Sequence, residues 1–344
     1  MKTLHRIGAF ALLLAAATGA RSDDGQTLVV TASNATTNQL LVYDANANLI
    51  QTIATKGQGG VSGNAGGIAT EQNQLAVVNF GSTSVALFER TGNGFEPRQV
   101  IPAASSPVSV AFGNNHLYIL GATEVESHQM FGSTANSNPD GMTRLIEANG
   151  SAAQVGVLPG QLIITEKSIP SNANIGAIET VSLRGDGAVG GPAAMVTNIP
   201  PYPNSNTPFG LVTRGNDAYV TIAHSNEISL VRNGALLTVT GSGSQNAPCW
   251  LTLDGPFLFS SNSPSMSVSR YAVYGQKIVQ DAAVAASLNG DPTDITHRAG
   301  LVAVIDGGGH LSIFSVDEDG NLTVKGVAGI SSVANGVAIV PGQN

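Results

Sequence analysis

Short apolar blocks recur along the chain between polar, glycine-rich stretches: LVVT at Leu28, LAVV at Leu75, LYIL at Leu117, LIIT at Leu162, AYVT at Ala218, LFSS at Leu258 and LVAV at Leu301. Successive blocks start 47, 42, 45, 56, 40 and 43 residues apart. Runs this short, rich in β-branched residues and bounded by turn residues, predict strands. A strand-based repeat of about 40 to 50 residues is the period of a propeller blade with about four strands.

Each block is followed by a polar turn and an alternating segment that ends in a bulky residue. Phe88, Val231, Tyr271 and Phe314 all stand 13 residues beyond the start of their block, and Tyr43, Phe131 and Val181 are the counterparts at offsets of 15, 14 and 19. Further turns, such as Asn93-Gly94, Asp186-Gly187 and Asp317–Gly320, close a second hairpin in each unit. A third element precedes the blocks: PVSVAF from Pro107, PFGLVT from Pro208, PCWLTL from Pro248 and PTDIT from Pro292, with AGGIAT and AAQVGVL as weaker copies. The first block has no such leader, whereas an unpartnered copy, ANGVAIV, stands at Ala334–Val340. The pattern therefore predicts an all-β fold, a seven-bladed β-propeller of four-stranded antiparallel blades. Its C-terminal strand completes the first blade, which closes the ring and removes an exposed sheet edge.

Composition narrows the function classes. Charged residues make up 11% of the chain and the net charge is −8, with no basic cluster to neutralise a row of phosphates, so nucleic acid is excluded as a partner class. Cys249 is the single cysteine, so no internal disulfide is expected and burial must stabilise the fold. The chain opens with Lys2, His5 and Arg6, an apolar run from Ile7 to Ala17, and the small residues Thr18, Gly19 and Ala20. This order is that of a secretory signal peptide over residues 1–20, leaving 21–344 as a single propeller domain, secreted or periplasmic. The apolar run is too short to cross a bilayer, and no later stretch replaces it, so no membrane span is expected.

The repeats resemble the YVTN-type units of the lactonase-like propellers, the superfamily of 6-phosphogluconolactonase and the carboxymuconate cyclases. The likeness extends over residues 28–340. It is carried by LIITEK at Leu162, APCWLTLDG at Ala247 followed by LFSSN and SVSRY, and IFSVDEDGNLTVKG followed by ANGVA. The secreted, uncharacterised bacterial branch of the superfamily is the nearer match. The resemblance to its enzymes implies a histidine near the start of a leading strand, with arginines around the channel. Positions 108–110, 209–211, 249–251, 293–295 and 335–337 hold no His, Arg or Glu.

In such a ring, the loops that enter the leading strands and those that follow the apolar blocks share one face around the axis, the mouth of a concave channel. That face is expected to gather Glu124, Glu166, Lys167, His224, Glu227, Asp291, Asp306 and His310. Among them Glu166, Lys167, His224, Glu227, Asp306 and His310 are the candidate binding residues. No catalytic set is assigned, and no metal or cofactor is expected, because HExxH, paired CxxC and EF-hand patterns are absent. Cys249 and Trp250 lie inside a leading strand, where packing between neighbouring blades is their expected role. Two insertions in the fourth unit, Ser168–Asn174 and Asn198–Thr207, are expected on the mouth face. The function expected on these grounds is a non-catalytic exported monomer that binds a small molecule, polysaccharide or protein at its mouth. The alternative is a lactone hydrolase or related ring-opening enzyme, with His224 and Glu166 or Asp306 activating water.

Overall fold

The computed structural model describes residues 26–169, 175–196 and 207–342. Residues 1–20, expected to form a signal peptide, and most of the two fourth-unit insertions lie outside the described residues.

Seven antiparallel sheets form the ring, each radiating from an innermost strand next to the axis. The innermost strands are the leaders recognised in the sequence: Ile68–Glu71, Pro107–Gly113, Ala152–Leu158, Pro208–Arg214, Pro248–Asp254, Pro292–Arg298 and, for the first blade, the C-terminal Asn335–Val340. The apolar blocks are the second strands, buried along almost their whole length because sheets pack on both faces. The third strands carry the bulky residues, and the fourth strands form the polar outer wall. Asn335–Val340 pairs with Leu28–Ala32, Val340 opposite Leu28, and so joins the two ends of the chain in one blade.

Register explains the fixed spacing. Phe88, Val231, Tyr271 and Val181 stand directly opposite Leu75, Ala218, Leu258 and Leu162, the first residues of their blocks, and each is buried. Stacked sheets lie about 10 Å apart, so such a side chain fills the gap between one blade and the next. Burial of each one stabilises the ring by about 1.5–3 kcal/mol. The third blade departs from the expected pattern: Phe131 lies beyond the region that pairs with the apolar block and is 58% exposed, while buried His128 stands opposite Leu117. The His128 Nδ1 lies 2.8 Å from the Asn136 carbonyl, and its buried Nε2, 3.5 Å from the Glu126 carboxylate, has no hydrogen-bond partner.

A second regularity was not visible in the spacing. In five of the innermost strands the pairing slips near the mouth end, between Pro107 and Ser109, Ala152 and Gln154, Pro208 and Leu211, Pro248 and Trp250, and Pro292 and Asp294. The first blade has the same slip at Gly336. A bulge at this point leaves a residue unpaired and re-aims the side chains that follow it. Threonine hydroxyls of the second strands take up the freed carbonyls: Thr31 bonds Gly336 O at 2.7 Å, Thr165 bonds Phe209 O at 2.6 Å and Thr221 bonds Cys249 O at 3.0 Å. The bulges thus decide what faces the axis.

Candidate functional site: a strapped mouth cavity

The link between the first and second blades, GQGGVSGNAGG at 57–67, crosses the mouth as a strap. Glycine suits it for a steric reason, since a Cβ at Gly59 would fall 2.3 Å from the Asn34 backbone. The strap is fastened to blade after blade. The Asn34 amide accepts from Gly60 N (2.7 Å) and Val61 N (3.1 Å) and donates to Val61 O (2.8 Å) and Val333 O (2.9 Å). Asn64 and Asn335 exchange side-chain hydrogen bonds at 2.8 and 3.1 Å, and Asn64 also donates to Val108 O. Lys167 Nζ donates to Gly63 O, Ala65 N to Ala153 O (3.1 Å), and Trp250 Nε1 to Asn64 O (3.1 Å). First, third, fourth and sixth blades thereby hold one segment.

A cavity of about 410 Å³ lies at the edge of the strap. Its walls come from the strap (Gly60–Asn64), from Ser332–Asn335, and from the bulged region of three innermost strands, which contributes Phe209, Trp250 and Thr293. Phe209 and Trp250 meet edge to face, with ring centroids 5.1 Å apart at 90°, a favoured arrangement for two quadrupoles. This contact between the fifth and sixth blades is the packing expected of Trp250. Its place in the cavity wall and its bond to the strap are additional. The asparagines at the rim are engaged in the strap bonds, so the side-chain polar groups left to a ligand are the hydroxyls of Ser62 and Ser332 and the acceptor side of Thr293 Oγ1, which donates to Ile305 O at 3.3 Å. No ionisable side chain lines this cavity among the described residues.

The six expected binding residues stand elsewhere on the mouth face, in separate groups on three blades. Glu166 ends the second strand of the fourth blade with no exposed surface; Ser151 Oγ donates to its Oε2 at 2.9 Å, and Oε1 has no hydrogen-bond partner. Burial raises its carboxyl to about 8, reinforced by the nearby Glu179 and Glu147 charges. Lys167 extends to the strap, and burial holds its ammonium below the usual lysine range. On the fifth blade His224 is exposed, with Nδ1 3.0 Å from Thr207 Oγ1, while partial burial raises the Glu227 carboxyl. On the seventh, His310 Nδ1 lies 3.0 Å from the buried Asp306 carboxylate. None of the six lines the cavity. The residues that do are neutral, and a search for acids, bases and metal ligands passes over them. The signal for them was the second and third positions of the proline-led strands together with the glycine-rich link.

No family model matches the sequence, and no curated protein matches it. Solved structures do. A protein of unknown function from Desulfotomaculum acetoxidans superposes with a TM-score of 0.68 at 13% identity, over 92% of this chain and 99% of that one. Two proteins provisionally assigned as 6-phosphogluconolactonases also superpose. That from Bacteroides uniformis has a TM-score of 0.66 at 11% identity, over 92% of this chain and 100% of its own. That from Bacteroides fragilis has 0.64 at 12%, over 93% and 99%. Identities this low speak for fold and leave chemistry open. The chain accordingly has a seven-bladed β-propeller fold, shared with these solved structures.

Proposed function

We propose that this protein is an exported propeller that binds a neutral, ring-bearing small molecule in its mouth cavity without transforming it. The observation that carries this is the cavity wall, in which the Phe209–Trp250 pair and Val61 and Val333 surround a few hydroxyls and no ionisable group. Small-molecule sites are commonly concave and apolar with a few placed polar groups. Hydrolysis of a lactone requires a base or metal to activate water, and a phosphorylated sugar requires cationic partners. The cavity lining supplies neither. Export rests on the first twenty residues, and N-terminal sequencing of protein recovered outside the cytoplasm checks it.

Trp250 is the single tryptophan of the chain, so its emission reports on the site directly. Purified protein is titrated with neutral aromatic and alicyclic compounds, including sugar and aliphatic lactones, while emission and ring opening are followed together. Saturable change in emission without turnover is the expected result. Lactone turnover that disappears in Glu166→Ala or His224→Ala would establish the hydrolase instead, and an emission spectrum indifferent to every compound would remove the cavity from consideration.

A further inference from the structure

Beneath the strap, on the axis, lies a second cavity of about 270 Å³, walled by Gly66 at one end and by Thr296 and His297 toward the opposite face. Gln154, Leu211, Asp294 and Val337, each just beyond a bulge in its innermost strand, line its sides. Asp294 is 6% exposed and has no cationic partner. Ile295 N donates to Oδ1 at 2.9 Å and Val337 N to Oδ2 at 3.2 Å. A carboxylate offers about four lone-pair sites, so each oxygen retains one. His297 contributes a second unmet group, since its buried Nε2 has no hydrogen-bond partner, the Asp254 carboxylate standing 3.4 Å away. A buried carboxylate without a cation is costly, and a wall that retains one has the acceptor geometry for a cationic donor.

We infer that this axial cavity is a binding site for a small nitrogen cation of the ammonium or guanidinium type, held by the two free lone pairs of Asp294. Two acceptors side by side suit N–H donors, guanidinium in bidentate fashion above all. Calcium takes six to eight oxygens, and no group of three or more His, Cys, Asp or Glu residues that could hold a metal occurs among the described residues. Trp250 lines both this cavity and the mouth cavity, whereas Asp294 lines this one alone, so the acceptor for the cation is distinct from the mouth site. Burial raises Asp294 to about 7, and burial lowers His297, so these two are the ionisable groups of the lining. A bound cation displaces the Asp294 proton, and binding strengthens as pH rises through 7.

The test is calorimetric titration of the full chain with methylammonium and guanidinium chlorides, against sodium, tetramethylammonium and calcium chlorides at matched ionic strength. Binding of the two N–H cations is expected, tighter at pH 8 than at pH 6, and weakened about tenfold or more in Asp294→Asn. The carbon-13 carboxyl resonance of Asp294 in the unaltered protein provides a readout that survives if the variant fails to fold; it should move with methylammonium and stay still with tetramethylammonium. Equal responses to all the salts, a preference for calcium, unchanged affinity in Asp294→Asn, or a stationary resonance would each overturn the site.

Discussion

Glu166 shows how one buried carboxyl sets a pH dependence. Its raised value, about 8, means that the folded chain holds a proton which the unfolded chain releases near 4.5. Between those values the native state binds more protons, so stability falls as pH rises, by up to about 1.4 kcal/mol per pH unit for each such group. Asp294, raised to about 7, acts in the same direction up to neutrality. Glu166→Gln retains the size of the side chain and an acceptor for Ser151 Oγ, and removes the titration. Urea unfolding from pH 5 to 8 should therefore be flatter in Glu166→Gln than in the parent, with the variant gaining most at pH 8. Parallel curves would mean that the carboxyl is not the titrating group. The sequence placed Glu166 at the end of an apolar strand on the mouth face. What it could not convey is that the carboxyl would be sealed from solvent beside Ser151, with Glu179 and Glu147 near it, because burial is decided by how the strands and loops pack.

At the scale of elements, the strap and the bulges together shape both cavities. The strands themselves were legible because alternation and turn residues are local signals, and the leaders were legible because they repeat. The strap was not, since a glycine-rich run reads as a loose link until its partners are known. Those partners are Asn34, Ala153, Lys167, Trp250 and Asn335, the last two 186 and 271 residues from Asn64. Removing either amide of the Asn64–Asn335 pair leaves the other buried without its partner, at a cost of about 1–3 kcal/mol. Asn64→Ala and Asn335→Ala should each lower stability by that amount, and the double variant by less than their sum, since the second change removes a group already unpaired. Hydrogen exchange at Gly60–Ala65 should accelerate in each. Strict additivity would show that the pair does not fasten the strap. Trp250 emission should shift in the same variants, because its indole N–H loses a fixed carbonyl when Asn64 moves.

The ring as a whole depends on joining its ends. The first sheet has its innermost strand only because Asn335–Val340 pairs with Leu28–Ala32, and a buried arginine adds to that seam. Arg90, from the second blade, donates to Val340 O (3.3 Å), to Pro341 O and to Gln26 O (2.5 Å), so one guanidinium holds both ends of the described chain. It is 3% exposed and faces carbonyls instead of a carboxylate, and burial accordingly lowers it from the usual arginine range. Arg90→Met keeps much of the apolar stem while leaving four carbonyls, that of Gly92 included, without this donor. A loss of about 2–4 kcal/mol is expected, read as an earlier urea midpoint with an unchanged slope. Deleting residues 334–344 is more severe, since it uncovers Leu28–Ala32 along its whole length and removes Asn335 from the strap. That protein should unfold at markedly lower temperature and aggregate through the bared edge. A synthetic peptide of residues 334–342, added in excess, should restore part of the lost midpoint by pairing with Leu28–Ala32, to an extent set by its concentration over its dissociation constant. A truncated chain that melts with the parent, or one indifferent to the peptide, would show that the ring does not need this seam.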